Sequence, residues 1–489
     1  MESWLTPLYD AEGIRAVDSW AIEEQGIPSP QLMEAAGTAL AEAVAGLAPQ
    51  GPVRIVCGKG NNGGDGEVAA RQLRRLGFEA ETAGLWSEAP PTDLDAWLAG
   101  AGAVVDAIFG TGFAGAPREP AVAAIEAINR CGAPVVACDI ASGVDASSGE
   151  VEGVAVEADL TVSFHAAKLG QRIAPGKWHC GELRVVPIGI PAGAPSEPAG
   201  GTIDPSVLSL APGRGPRSTK FSSGQVAIAG GSRGLTGAVR MSSLAAIRAG
   251  AGYATVAVPA DLEPVFEAGE PEVMSVGCPG GDGRLVPASA KALLRAFERA
   301  AAGVLGPGMG RDPGSVELAR EVVTAIAAPL VIDADGLNAF AGELRLIAAR
   351  EQPTVLTPHA GELGRLLGRG AEEIGAHRLA CAREAARASG AVVVLKGDDT
   401  IVSDGERVAV NALSAPALAT AGSGDVLSGL TAALLARGLE PFAAACAAVF
   451  AHARAGRAAA TRVGAAESVI ASDVIDAIAL GLRPDQRVE

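Results

Sequence analysis

The residues Gly58-Lys59-Gly60-Asn61-Asn62-Gly63-Gly64-Asp65-Gly66 put two asparagines and an aspartate into a glycine-dense segment between an apolar strand and a helix. Such a segment lets backbone approach a ligand and turns N–H groups toward an anion. It is neither the GxGxxG turn with a ribose-binding acid on the next strand nor a phosphate loop ending in GK[ST]. Two further strand ends carry related chemistry. Asp106 leads to Gly110-Thr111-Gly112-Phe113-Ala114-Gly115, and Asp139 leads to Ile140-Ala141-Ser142-Gly143. Strand ends of an open parallel sheet converge on one crevice. Asn62, Asp106 and Ser142 then offer oxygen ligands to a hard cation. The plainer role for Asp106 and Asp139 is capping or turn formation. His165 and Lys168 follow the next strand end.

The second half repeats the device at six strand ends. They are Gly230–Ala238, Leu305–Gly310, Ile332–Asn338, Leu356–Glu362 with His359, Leu395–Thr400, and Thr420-Ala421-Gly422-Ser423-Gly424-Asp425. One glycine loop is weak evidence; six with Asp, His, Glu and Lys among them predict a site. The chain has six lysines against 33 arginines, and Lys396 stands at a strand end before Gly397. That placement suits a point charge on phosphate. Asp425 opens a helix, where the dipole favours its anionic form and capping is the plain alternative.

These segments need a scaffold. Apolar runs such as Val53–Cys57, Ala103–Asp106, Val135–Asp139 and Leu160–Phe164 alternate with helical stretches such as Glu67–Leu76 and Ala121–Arg130. Later come strands from Gln225–Ala229 to Ala391–Leu395 and helices at Gly237–Ala249, Ala371–Ala388, Asp425–Ala436 and Phe442–Ala460. The pattern predicts α/β domains with parallel sheets covered on both faces. A Pro/Gly/Ala/Ser-rich stretch from Gly189 to Arg217 divides the 489 residues into domains of about 1–205 and 210–489.

Composition agrees and excludes other classes. Hydrophobic residues are 48% and charged ones 19%, so disorder is excluded. A net charge of −17 repels nucleic acid, so phosphate ligands need local devices. The longest charge-free run, Val408–Gly424, is too broken by polar residues to span a membrane, and Met1–Arg15 has no apolar stretch of a signal peptide. Cysteines 57, 131, 138, 180, 278, 381 and 446 form no CxxC pair, which predicts inert thiols in a reducing cytoplasm and no structural zinc.

The opening LYDAEGIRAVDSWAIEEQGIPSPQLMEAAG, then GNNGGDG, DAIFGTGFAGAP, DIASGVDASSG and ADLTVSFHAAKLG, resemble the epimerase domain of bifunctional NAD(P)H-hydrate repair enzymes, from about Leu8 to Pro191. Ala141 stands where that family usually has proline. The resemblance implies a Rossmann-like three-layer domain that interconverts the R and S hydrates at C6. Asn61, Asn62, Gly63, Gly64, Asp65 and the loop from Gly110 to Ala116 would hold the dinucleotide, and Asn62, Asp106 and Ser142 a potassium ion. C6 is a hemiaminal carbon, so inversion through loss and return of its oxygen wants a positioned carboxylate. Asp139 is the candidate and Asp65 the next.

From about Lys220 to Leu480 the motifs are similar to the dehydratase domain of the same enzymes, a ribokinase-like α/β/α sandwich. In that fold the Gly422–Asp425 type of loop forms an anion hole and the aspartate takes the acceptor proton. By the resemblance Ala238, Gly310, His359 and Asp425 would touch the hydrated dinucleotide. Lys396, Gly397, Asp398, Asp399 and Thr400, with Ala415–Gly424 including Thr420, Ala421, Gly422, Ser423 and Gly424, would touch ADP. Alanines 417 and 421 replace the usual glycines. The implied reaction is ADP-dependent dehydration of the S-hydrate to NAD(P)H, AMP and phosphate, with magnesium expected on charge grounds. A cytoplasmic homo-oligomer acting on NADHX, NADPHX and ADP, with no nucleic-acid or membrane partner, is the resulting expectation. The alternatives are a ribokinase-like vitamin or sugar kinase and a non-catalytic nucleotide- or partner-binding N-terminal half; the GNNGGDG segment argues against the first, and Asp139 and Asn62 against the second.

Overall fold

The computed structural model describes residues 1–88 and 90–484. The chain divides into two compact units. One runs from Pro7 to Gly201 with Met1; the other takes Thr202 onward together with Glu2–Thr6. Trp4 explains that short exchange: its ring is 4% exposed and lies 6.0 Å from the ring of Phe442, in the core of the second unit.

In the first unit six parallel strands stand in the order Ala80–Gly84, Val53–Cys57, Ala103–Ala107, Val135–Cys138, Leu160–Phe164, Glu182–Val186. Helices cover both faces, because alternate strand residues are buried on opposite sides. Ile55 and Val105 join Leu40, Val44 and Leu73 in one core, and Val56 and Val104 join Ile125 and Ile128 in the other. The strand order reverses between Val53–Cys57 and Ala103–Ala107, which opens the crevice where ligands of such sheets bind.

The second unit is built on an eleven-stranded sheet, whose edge strands Leu5–Leu8 and Gly200–Ile203 are the segments in which the chain passes from one unit to the other. Seven, from Val392–Leu395 through Gln225–Ala229 to Val273–Cys278, pair in parallel. Ile401–Ser403 and Val408–Val410 add an antiparallel hairpin, each strand too short for its alternation to be read from sequence. The order reverses between Gln225–Ala229 and Ala302–Leu305. Helices Thr236–Arg248, Ser423–Ala436, Pro441–Val463 and Ala471–Gly481 pack around one core.

Three expectations change. The helix expected from Glu67 begins at Asn61, so Asn62 and Asp65 lie in its first turns. The expected helix Ala371–Ala388 is two, Ala371–Ala376 and Arg378–Ser389, broken at His377 just after the weak helix former Gly375. The Pro/Gly-rich stretch from Gly189 is not plain linker: it contains Gly200–Ile203 and a 3-10 turn whose Val207 and Leu208 are buried.

Glycines in the first segment serve close packing. A Cβ on Gly63 would stand 2.1 Å from the carbonyl oxygen of Gly58, and one on Gly66 would stand 2.8 Å from the Ala107 Cβ. At Gly37, on helix Ser29–Gly46, a Cβ would meet the Val68 Cβ at 2.4 Å, where the helix carrying Asn62 and Asp65 crosses. Gly37→Val is therefore expected to destabilise the first unit by about 1–3 kcal/mol, read as an earlier urea transition of that unit.

Candidate active sites

In the first unit a cavity of about 640 Å3 lies at the carboxyl edge of the sheet. Asn61, Asn62, Asp65, Gly110–Phe113, Asp139, His165 and Lys168 line it, so the glycine-rich segment, the second loop and the Asp139 strand end do converge. Gly63, Gly64 and Ala114–Ala116 are not among its lining residues. His165 and Lys168, which follow the next strand end, belong to it as well.

Asp139 sits in the left-handed region at φ 66°, a conformation Asp tolerates better than most residues. Its N–H donates to the Val162 carbonyl at 2.9 Å, and its own carbonyl accepts from Gln171 Nε2 at 2.6 Å. Its carboxylate accepts from the Phe164 N–H at 2.9 Å and from the Lys168 ammonium. Lys168 is 1% exposed, and its Nζ also donates to Ser163 Oγ and the Phe164 carbonyl at 3.0 and 3.1 Å. Three carboxylates surround this single buried ammonium. Burial, then Asp139 and Asp18, push Asp65 up to about 8, while Lys168 opposes them. Burial and Asp139 push Asp18 up to about 6. The shift of Asp65 favours its protonated form.

Asp18 was not singled out from the sequence. Its signal is positional: on helix Ala11–Glu23 it shares the stripe of the buried Ile14, Val17 and Ala21, where a carboxylate is out of place unless it faces a site.

Asn62, Asp106 and Ser142 also come together. Asp106 is fully buried and accepts the Ser142 hydroxyl at 2.6 Å and the Ser142 N–H at 2.7 Å. Burial raises it to about 6 against those bonds. Asn62 Nδ2 donates to the Phe109 carbonyl at 2.7 Å, and Ser142 Oγ accepts the Phe109 N–H at 2.9 Å. Asn62 Oδ1 is buried with no hydrogen-bond partner. A buried acceptor left bare is costly, and it fits an oxygen-ligated cation. Among the described residues no group of three His, Cys, Asp or Glu side chains forms a metal site.

In the second unit Asp333, 1% exposed, is the hub. Its carboxylate meets the Lys396 ammonium at 3.1 Å and the Ser428 hydroxyl at 2.5 Å, and Glu362 lies 3.6 Å from the same ammonium. Burial alone would lower Lys396, but Asp333 and Glu362 hold it above its ordinary value. Asp425, in the first turn of helix Ser423–Ala436, is pushed up to about 7 by burial, with Asp333 adding to the rise. The helix dipole pulls the other way, as the sequence reading expected, and burial wins.

His359 caps helix Ala360–Leu367, its Nδ1 accepting the Gly361 N–H at 3.0 Å while Glu362 accepts the His359 N–H at 2.9 Å. Burial lowers its ring. Gly310 donates its N–H to Asp335 at 3.0 Å, and Ala238 lies beside Gly308.

A second cavity of about 310 Å3 is lined by Lys396, Gly397, Asp398, Thr400, Ala415, Ser423 and Gly424 among others. Asp399 is not among them: its carboxylate is paired with the buried Arg378 at 2.8 Å, so it shapes the loop from within. Thr420, Ala421 and Gly422 also stand outside the lining, as do both replacement alanines; Ala417 is buried in the core and Ala421 is exposed. The cavity adds a residue the sequence reading passed over. His452 is 6% exposed, burial drives its ring down to about 4, and its Nε2 has no partner. In an alanine-rich helix it reads as a core histidine, and only the cavity wall distinguishes it.

Family models for the YjeF-related protein N-terminus match residues 29–98 and 80–170, and one for NAD(P)H-hydrate dehydratase matches 226–480. Bifunctional NAD(P)H-hydrate repair enzymes from Moorella thermoacetica and Pyrobaculum aerophilum are 36% and 38% identical to this chain, over 97% and 95% of it and 96% and 97% of their own lengths. An ADP/ATP-dependent NAD(P)H-hydrate dehydratase from Bacillus subtilis, crystallised with ATP and Mg2+, is 27% identical over 56% of this chain and 94% of its own, with a TM-score of 0.48. The alternatives of a vitamin or sugar kinase and of a non-catalytic first half give way to the family models and the near full-length relatives, which match across both units. The chain belongs to the bifunctional NAD(P)H-hydrate repair enzymes, which epimerise hydrated NADH and NADPH and dehydrate them.

Proposed function

We propose that residues 1–205 carry the epimerase and 210–489 the dehydratase, and that each chemistry centres on the carboxylates around one lysine. The observation that carries this is the pairing, in each unit, of a lysine with a buried or half-buried carboxylate beside a second carboxylate raised toward neutrality: Lys168 and Asp139 with Asp65, Lys396 and Asp333 with Asp425.

In the first site the dinucleotide lies along the Asn61–Asp65 and Gly110–Ala116 segments. As the ring nitrogen drives the C6–O bond open, protonated Asp65 gives its proton to the departing hydroxyl, forming water. Water returns to the other face of C6 and releases a proton to the carboxylate pair Asp65 and Asp139. Asn62, Asp106 and Ser142 would hold a potassium ion, whose charge would neutralise Asp106 and steady the pyrophosphate.

In the second site Asp425 accepts the proton of the C6 hydroxyl, whose oxygen takes the terminal phosphoryl group of ADP, releasing AMP. The ring nitrogen then expels phosphate, and loss of a C5 proton restores the ring double bond. Ala238, Gly310 and His359 border the hydrated ring. Lys396, Gly397, Asp398, Thr400, Ala415, Ser423 and Gly424 border the nucleotide, while Thr420, Ala421, Gly422 and the Arg378-paired Asp399 hold the loops that carry them. His452 offers that cavity a neutral ring nitrogen. Magnesium would ride on the phosphates, since among the described residues none form a carboxylate cage. Seven free cysteines suit a cytoplasmic enzyme, and no described helix is long and apolar enough to cross a membrane. We expect a homo-oligomer, which sedimentation would test.

Asp425→Asn keeps the cap but not the base, so dehydration, followed as recovery of 340-nm absorbance with ADP, should fall at least about 10²-fold while epimerisation persists. The wild-type dehydration rate should rise with pH through about 7, where Asp425 loses its proton. Asp139→Asn and Asp65→Asn should abolish R-to-S conversion and spare dehydration of the S form. Wild-type epimerisation should fall as pH rises through about 8, where Asp65 loses its proton. Asn62→Ala should remove potassium activation of epimerisation, measured against lithium at equal ionic strength.

A further inference from the structure

The epimerase cavity has two ends of different chemistry, laid out by strand order. Along the carboxyl edge of the sheet, Trp86 follows the edge strand Ala80–Gly84, Lys59 the next, Phe109 the third, and Asp139 the fourth. Three strand spacings, about 14 Å, separate the strand before Trp86 from the one before Asp139. The Asp139 end holds Asp18, Asp65 and Lys168. The other end is an aromatic wall. Phe109 and Phe113 stack at 4.5 Å with 15° between their planes, Trp86 lies 6.2 Å from Phe109, and the Lys59 ammonium stands 5.5 Å from the Trp86 ring centre.

A dinucleotide with its hydrated ring at the carboxylates and its pyrophosphate at the N-terminus of helix Asn61–Arg75 brings its adenosine to this wall. Purine rings stack on aromatic faces without needing hydrogen bonds. Of the three cations among the described lining residues, Arg15 rises from the helix that carries Asp18, and Lys168 is paired with Asp139. Lys59 is exposed over the indole, beside the ribose of a stacked adenine. A compact ammonium there meets the 2′-phosphate that distinguishes NADPH from NADH.

We infer that Trp86, Phe109 and Phe113 form the adenine platform of the epimerase site and that Lys59 reads the 2′-phosphate, so that this site prefers NADPHX to NADHX. The inference rests on the placement of epimerisation in this cavity. Lys59→Gln should lower the ratio of epimerase kcat/KM for NADPHX over NADHX about fivefold to tenfold, an effect that shrinks as salt is raised. Trp86→Ala should raise KM for both substrates and leave that ratio where it was. A ratio unmoved by Lys59→Gln, or a Trp86→Ala loss confined to kcat, overturns the assignment. Occupancy of the wall is read separately from turnover. Quenching of the Trp86 emission, taken as wild type minus Trp86→Phe, should appear with NADP+ at lower concentration than with NAD+. Absent quenching refutes the platform even in an active epimerase. Quenching in a protein that epimerises neither hydrate keeps the platform and refutes the catalytic reading instead.

Discussion

A single ammonium held among more carboxylates than it can neutralise is the constraint on which both sites depend. A buried lysine is stable when its charge is matched, and a buried carboxylate likewise. Around Lys168 stand Asp139, Asp18 and Asp65; around Lys396 stand Asp333, Glu362 and Asp425. In each set the lysine bonds one carboxylate directly, and a carboxylate outside the direct pair is lifted to about 8 or about 7. Burial first, and then the excess of acid over base, thus sets proton affinities near neutrality, which is where proton transfer is most effective.

The folds supply that excess by ending strands at one edge. Asp139 and Ala334 both take positive φ beyond strand ends, at 66° and 51°, and His165 does so at 64°. Such backbone costs on the order of 1–3 kcal/mol per residue and persists where surrounding bonds enforce it. At Asp139 the enforcing bonds are visible: Val162, Phe164, Gln171 and Lys168 grip both its backbone and its side chain. The turn aims the carboxylate into the cavity instead of along the strand.

Not every charged residue in the motifs plays this part. Asp399 stands within a nucleotide-site motif, yet Arg378 takes its carboxylate away from the cavity. The glycines of GNNGGDG look like a flexible cradle, yet Gly63 and Gly66 are there because helix and strand approach too closely for a methyl group. Asp18 and His452 lie inside regular helices, where helical spacing alone marks them as misplaced or merely buried.

The amino-acid sequence by itself determined the α/β class, the strand-end position of the chemistry and most of the residues that converge. Those follow from local patterns: apolar runs, glycine-rich turns and helix starts. Only the tertiary structure decided how many carboxylates share each lysine, which of them is raised, and that Asn62 Oδ1 is buried and left bare. It also drew Glu2–Thr6 into the second unit through Trp4. The physical reason is that burial and charge depend on distances between residues far apart in the chain, and helical or strand periodicity says nothing about those.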